Sequence, residues 1–143
     1  MRKMFFIAVL AAATLPAADA PSGVVFVDHG KASPAIAKGE VVVSQSDLIV
    51  MGGHRVGPGE VEVHEKQTDV LYIFDGEATV VTGGTMIGGK QTAAGQLRGT
   101  AIQGGETRNV TKGDVMVIPA GTPHWFTQVS PEINYLVVKV VKP

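Results

Sequence analysis

The chain has 143 residues, which argues for one domain, and it carries a formal net charge of −1 at pH 7. Its 12 basic and 13 acidic residues suggest neither a basic stripe for nucleic acid nor a polybasic patch for a membrane surface. The sequence contains no cysteine, which excludes disulfides, thiolate metal sites and cysteine nucleophiles.

The N-terminal residues 1–20 have the pattern of a secretory signal peptide. Arg2 and Lys3 precede an apolar run from Met4 to Leu15, and small residues follow as far as Ala20. The run is too short to span a membrane comfortably. We therefore expect residues 1–20 to be removed and residues 21–143 to form one exported domain, either secreted or periplasmic. The alternative is a retained N-terminal anchor.

The rest of the chain shows the pattern of short strands separated by turns. The pair Asp75-Gly76 lies between two apolar runs and predicts the tight turn of a hairpin. After residue 20, the sequence shows no sustained helical period. An all-β antiparallel sandwich or barrel is therefore expected. The runs that predict strands are 24–27, 41–43, 48–51, 70–74, 77–82, 107–110, 114–118, 124–129 and 133–141.

The segment 83–105 is rich in glycine, and its apolar residues are scattered. Glycine at this density resists a long helix, so we expect loops with at most short strands. A long structured loop is often functional, and this one could form a lid or one wall of a pocket. A mobile surface excursion is the alternative.

Candidate metal ligands occur in two separate stretches. Glu62 and His64 are two residues apart, so a strand would point both side chains to one face, and Asp69 opens the apolar strand that follows. His124 begins a strand just after a turn rich in proline and glycine. Imidazole and carboxylate groups in this number could hold one divalent metal ion. A polar, hydrogen-bonded cluster without metal is the alternative.

The first of these stretches resembles the first conserved motif of the cupin superfamily. Glu62 and His64 stand where the family has two histidines, and Asp69 stands where it has a glutamate. Gly76 matches the glycine that closes the motif. Two of the four ligand positions therefore depart from the family pattern.

The second stretch resembles the second cupin motif more fully. Gly113, Pro119, Gly121 and His124 fall in register with it, and Gln128 stands where an asparagine is usual. The resemblance extends from about Val41 to Val141. It implies an antiparallel double-stranded β-helix, or jelly-roll barrel, which commonly pairs with a second copy as a homodimer.

The resemblance also implies a metal centre inside the barrel. Its ligands would be Glu62, His64, Asp69 and His124, and the ion would be iron, manganese, zinc or nickel. In cupins the strand before the first motif lines the cavity, so His54 could act there as a general base, as could Glu62. Regular alternation would then turn Arg55 away from the cavity.

The same alternation predicts which side chains line the cavity and bind a ligand. Leu71 and Ile73 share a face with Asp69, while Phe126 and Gln128 share a face with His124. The aromatic side chains that should face outward, where they could pack between sheets or meet a second copy, are Tyr72, Phe74 and Trp125.

Two functions agree with these observations. The first is an exported, metal-dependent cupin enzyme that acts on a small polar organic molecule, with the dioxygenase, isomerase or lyase chemistry that the resemblance implies. The second is a barrel that binds a small molecule, a sugar or a metal ion without catalysis. Neither involves nucleic acid.

Overall fold

The computed structural model describes residues 23–143 of the chain, so the predicted signal peptide lies outside the described residues. Every strand pair in this part is antiparallel, and the predicted all-β class is confirmed. Among the described residues, no helix is long and apolar enough to cross a membrane. The elements are α1 (His29–Ala37), β1 (Val41–Ser44), β2 (Leu48–Arg55), β3 (Val61–His64), β4 (Gln67–Thr82), β5 (Thr85–Ile87), β6 (Lys90–Ala93), β7 (Gln96–Gly99), β8 (Ala101–Gln103), β9 (Glu106–Thr111), β10 (Val115–Ile118) and β11 (His124–Val141).

Two long strands, β4 and β11, hold the fold together by pairing along almost their whole lengths. The first half of β4 lies beside the second half of β11, with β10 on one side and β2 and β1 on the other. The second half of β4 lies beside the first half of β11, with β9 on one side and β3, β7 and β6 on the other. The result is the predicted jelly-roll, or double-stranded β-helix, barrel.

A single hydrophobic core fills the space between these two groups of strands. Leu71 and Ile73 come from the first half of β4, and Val80 comes from its second half. Phe126 and Tyr135, from opposite halves of β11, stack with their ring centroids 5.4 Å apart. Because one strand contributes to both walls, its alternating side chains fill one enclosed interior.

The predicted hairpin turn at Asp75-Gly76 is wrong, because both residues lie inside the continuous strand β4. Gly76 has a φ of +80°, and a Cβ there would lie 2.0 Å from the carbonyl oxygen of Glu132. The register of β11 against β4 shifts between Ser130 and Ile133, beside this glycine. The glycine therefore marks a distortion within a paired strand. In the sequence alone, an Asp-Gly pair at such a distortion cannot be distinguished from an Asp-Gly pair in a hairpin turn.

The helix α1 was not expected from the sequence, and the strand predicted at 24–27 does not form. Helix α1 contains Pro34, a residue that usually interrupts helices. None of its residues is fully buried, so its sequence does not need the apolar stripe by which a helix is recognised. It packs against β2 at Gly52, where a Cβ would lie 2.0 Å from the carbonyl oxygen of Ile36. This contact between distant segments leaves no periodic signal in the sequence.

The glycine-rich segment 83–105 forms four short strands, in line with the prediction of loops with at most short strands. Strand β7 pairs with β3, and β6 pairs with β7, so this segment extends one sheet of the barrel. Strands β5 and β8 pair with each other in a separate ribbon. The segment is therefore one wall of the barrel next to the strand that carries Glu62 and His64.

The distortion at Gly76 can be tested with a matched pair of alanine substitutions. Gly76 and Gly121 share a φ of +80°, but a Cβ at Gly121 meets nothing within 4 Å. We expect Gly121→Ala to lower the free energy of unfolding by about 1 kcal/mol through backbone strain alone. Gly76→Ala should cost at least about 2 kcal/mol more, because the added methyl group collides with β11. Urea denaturation measures both values, and equal losses would contradict this role of Gly76.

Candidate metal centre

Three donor atoms from two strands meet on one face of the barrel. Glu62 and His64 lie two residues apart on β3, and His124 pairs directly with Glu62 across the sheet. The Oε2 atom of Glu62 lies 3.4 Å from Nε2 of His64 and 3.9 Å from Nε2 of His124. These donor atoms all lie within 4.8 Å of one another, and both histidines are buried. This is the group that the sequence predicts, apart from Asp69.

The outer nitrogen of each imidazole is bound to a protein oxygen. Nδ1 of His64 contacts the side-chain oxygen of Gln96, and Nδ1 of His124 lies 3.0 Å from the carbonyl oxygen of Thr122. Because these oxygens can only accept, Nδ1 carries the hydrogen in both rings. Each Nε2 therefore turns a lone pair towards the carboxylate. Metal-binding histidines are commonly oriented in this way.

The three inward-facing atoms are all acceptors in this tautomeric state. The two Nε2 lone pairs lie 3.4 and 3.9 Å from one carboxylate oxygen, which repels them unless a cation or a proton lies between them. A divalent ion satisfies all three atoms at once, and the donor set suits it. A second proton on His64 would face the carboxylates of Glu62 and Asp69, but it would leave the contact between His124 and Glu62 unchanged.

Arg55 holds the carboxylate of Glu62 in this orientation. Its Nη2 atom donates to Oε1 of Glu62 at 2.9 Å, which leaves Oε2 to face the histidines. The guanidinium also donates from Nε to the hydroxyl of Tyr135 at 2.9 Å, and it lies over the ring of Phe126 at 4.7 Å. With these contacts fixed, Glu62 offers one oxygen to the donor group.

Asp69, the fourth predicted ligand, lies at the edge of the group. Its Oδ2 atom is 3.5 Å from Nε2 of His64, but Asp69 is not among the three residues whose donor atoms converge. Nζ of Lys139 lies 2.8 Å from both oxygens of this carboxylate. The buried Asp69 thus has a cationic partner within the protein, and its binding of a metal ion stays a prediction.

The pKa shifts at the centre keep its groups in the states that bind metal. Burial alone would raise the pKa of Glu62, but the charge and the hydrogen bond of Arg55, together with the charge of Arg98, hold that pKa well below its usual range. Burial lowers the pKa of His124 below its ordinary value, although the bond to Thr122 opposes this shift. At neutral pH, Glu62 is therefore an anion and His124 a neutral imidazole.

The structure reverses the predicted orientations of His54 and Arg55. Gly53 and Arg55 face the interior, where a Cβ on Gly53 would collide with the ring of Tyr135. The ring of His54 instead contacts Asn134 at 2.7 Å. His54 is exposed and contributes to the lining of the cavity, but it is not one of the three residues whose donor atoms converge, so its catalytic role stays a prediction.

A cavity of about 400 Å³ opens beside the donor atoms. Two of the predicted lining residues, Leu71 and Phe126, contribute buried apolar surface to it. Ile73 lies in the hydrophobic core and is only 1% exposed. The cavity therefore combines an apolar wall with the polar donor group, a common composition for small-molecule sites.

The predicted position of Gln128 in this cavity is wrong. Phe126 pairs with Val80, and Gln128 pairs with the adjacent Thr79, so β11 has one extra residue at Thr127. A β-bulge of this kind reverses the alternation of side chains beyond it. Gln128 is consequently exposed and lines a separate depression on the outer surface.

Sequence reasoning missed four polar residues that contact the donor group or its carboxylates. The pattern gave no signal for Gln96 and Arg98, because their roles depend on the register of β7 against β3. Lys139 did carry a signal, since it is an isolated charge in an apolar strand and requires a partner if it is buried. Arg55 was noticed but assigned to the wrong face.

Comparisons with known proteins agree with this architecture. Residues 57–143, more than half of the chain, match the family model described as Cupin. None of the curated proteins matches the chain in sequence.

Three solved structures illustrate the likeness of the fold. TT1209 from Thermus thermophilus is 22% identical over 72% of this chain and 81% of that chain, with a TM-score of 0.51. KdgF from Halomonas sp. is 19% identical over 73% of this chain and 79% of that chain, with a TM-score of 0.52. An uncharacterized protein with a double-stranded β-helix domain from Klebsiella pneumoniae is 17% identical over 71% of this chain and 74% of that chain, with a TM-score of 0.50. At these identities the likeness shows the fold alone.

The pKa shifts predict how acid destabilises the metal-free protein. The pKa of His124 lies below 6.5 in the folded state, so the unfolded chain binds this proton first, and stability falls as the pH drops below about 6.5. The pKa of Glu62 lies below 4.5, so its stabilising contribution is complete above about pH 4.5 and is lost progressively at lower pH.

We expect His124→Gln to flatten the first decline and Glu62→Gln to flatten the second. Urea unfolding of the chelator-treated protein across this pH range checks both expectations. A His124→Gln variant with the same pH dependence as the wild type would show that His124 does not titrate as the structure indicates.

Proposed function

Because this chain belongs to the cupin family, we propose that it is a metal-dependent cupin that acts on a small polar organic molecule. The observation that carries the proposal is the convergence of one carboxylate oxygen and two imidazole nitrogens, with the opposite side of each group bound by the protein. Glu62, His64 and His124 would hold the ion. Two imidazoles and one carboxylate suit iron, manganese, zinc or nickel.

A divalent ion at this site would supply Lewis acidity and a position at which an oxygen atom of the substrate could bind. The chain itself supplies the surroundings for that chemistry. Leu71 and Phe126 exclude water from one side of the cavity. Asp69 lies 3.5 Å from His64 and contacts Lys139, a position from which it could hold or move a proton beside a bound molecule. Dioxygenase, isomerase and lyase reactions all fit these parts.

One observation favours the second function, a barrel that binds a small molecule, a sugar or a metal ion without catalysis. Both carboxylates that line the described cavity, Glu62 and Asp69, are already paired with cations, Arg55 and Lys139. A paired carboxylate is a weaker base than a free one. Turnover that is lost in donor variants would distinguish an enzyme from a binder.

Export from the cytoplasm is part of the proposed function. Its support is the sequence pattern of residues 1–20, with two basic residues, a short apolar run and small residues at the end. A processed chain would meet its ligand outside the cytoplasm. Because it has no cysteine, it would keep its fold there through its hydrophobic core and without disulfides.

We also propose that the protein pairs with a second copy through the outer face of β10 and β4. Val115 and Val117 on β10 are 63% and 58% exposed, and Tyr72 beside them on β4 is 48% exposed. In the described residues β10 pairs only with β4, so its other edge is unpaired. A symmetrical second copy would cover both the apolar face and the unpaired edge of β10, and an unpaired edge left exposed is prone to aggregate.

Metal analysis tests the central proposal. We expect about one divalent ion per chain in the protein purified without a polyhistidine tag. His64→Ala and His124→Ala should lose the ion because each removes a donor, and Glu62→Gln should weaken binding markedly. His54→Ala is the matched control and should keep the ion. If the wild-type protein binds no metal even after reconstitution, the proposed metal-dependent function is wrong, and a barrel that binds a small molecule without catalysis becomes the better hypothesis.

Light scattering tests the proposed dimer. Val117→Lys should convert the dimer to a monomer, because it would place a charge in the apolar face. Val56→Lys alters a valine that is 72% exposed in the bend after β2, outside that face, and should leave the mass unchanged. A monomeric wild-type protein would contradict the dimer, and an unchanged mass of the Val117→Lys variant would contradict this interface.

A further inference from the structure

The cavity beside the donor atoms contains an excess of positive charge. Two carboxylates, Glu62 and Asp69, face four cationic side chains. The four cations that line the cavity are Lys38, Arg55, Arg98 and Lys139. Since a divalent ion would add further positive charge, the site is suited to an anionic ligand.

Two of the four cations are already committed to carboxylates. Arg55 binds Glu62, and Lys139 binds both oxygens of Asp69. Within the described residues, Arg98 and Lys38 make no hydrogen bond to a carboxylate. Lys38 is exposed at the end of α1, whereas the side chain of Arg98 is only 29% exposed. Arg98 is therefore the half-buried cation of this cavity whose N–H groups are not bound to a carboxylate.

The position of Arg98 beside the donor group is fixed by strand pairing. Strand β7 pairs with β3 so that Arg98 lies opposite Glu62 and Gln96 lies opposite His64. Nη2 of Arg98 is 3.8 Å from Oε2 of Glu62, the oxygen that faces the two histidines. This distance is too long for a hydrogen bond. A second guanidinium nitrogen, Nη1, donates to the neighbouring carbonyl oxygen of Leu97 at 3.0 Å.

We propose that the ligand of this cavity is a small organic carboxylate and that Arg98 binds its carboxylate group. This inference rests on the proposed function, because it places Arg98 beside the donor group of the metal centre. A guanidinium presents parallel N–H groups that match the two oxygens of a carboxylate. The ligand would be held at two points, by Arg98 at its carboxylate and at the metal centre by another oxygen. Arg98 is thus a residue that determines specificity, supplied by the glycine-rich wall of the barrel.

A simpler role for Arg98 is electrostatic support of Glu62. Under that alternative, removing the guanidinium would weaken the binding of metal and would not distinguish charged from uncharged ligands. Under our proposal, removing it would weaken the binding of a carboxylate specifically and leave the metal content near its original value. The two roles therefore differ in a measurement that does not depend on enzymatic activity.

Titration calorimetry of the full mature chain, loaded with metal, tests the proposal. The probes are malonate, a dicarboxylate, and malonamide, its uncharged counterpart of similar size. We expect malonate to bind at least about tenfold more tightly than malonamide, and Arg98→Gln to remove most of that difference. Arg108→Gln is the matched control, because Arg108 is an exposed arginine on β9 that pairs with Glu106 outside the cavity. Metal content is measured for each variant before and after titration.

Each outcome decides for or against the carboxylate. A selective loss of malonate binding in Arg98→Gln, with its metal retained, supports the proposal. Equal binding of the two probes by the wild type, or unchanged malonate binding by Arg98→Gln, overturns it while leaving the metal centre intact. A loss of metal from Arg98→Gln that accounts for the loss of malonate assigns Arg98 to Glu62 and also overturns it. If the wild type holds no metal, the proposed function fails, and the same titrations of the metal-free chain decide the role of Arg98 separately.

Discussion

The long antiparallel pairing of β4 with β11 is the constraint on which the barrel and its centre depend. Because β11 pairs with β4 along one side, its other side is free to meet β3 near His124 and β2 further along. The same strand therefore brings a histidine to Glu62 at its beginning and delivers Tyr135 and Lys139 to the same cavity near its end. A break in this pairing would separate the donors from the cations that balance their charge.

Charge balance is the second condition of the site, because its two carboxylates have little contact with solvent. Taking a carboxylate out of water costs several kcal/mol unless a partner and hydrogen bonds compensate it. Lys139 supplies that partner for Asp69, and Arg55 supplies it for Glu62. The two cases differ in what remains available. Both oxygens of Asp69 face one ammonium group, whereas Glu62 keeps one oxygen directed at the histidines. This difference explains why Glu62 belongs to the donor group and Asp69 lies at its edge.

The sequence predicted those features that depend on alternation within a single strand. The shared face of Glu62 and His64 and the antiparallel barrel follow from local pattern and motif spacing. Features that depend on irregular geometry were missed. The bulge at Thr127 turned Gln128 outward, and the glycine signal at Gly76 marked a distorted strand and not a turn. Pairing between distant segments was also invisible, because the sequence does not state that β7 lies beside β3.

The identity of residue 62 is explained by Arg55. The cupin resemblance leads one to expect a histidine there, yet a neutral imidazole carries no negative charge to balance the guanidinium that donates to Glu62 at 2.9 Å. Arg55 lies between the ring of Phe126 and the hydroxyl of Tyr135, and its side chain is only 24% exposed, so it cannot easily turn to water for another partner. A histidine at position 62 would leave that cation half-buried without an anion, and a neutral residue at position 55 would leave the carboxylate without its hydrogen-bonded cation. Glu62 and Arg55 are therefore one unit, which gives this barrel an anionic ligand whose direction is set by a cation behind it.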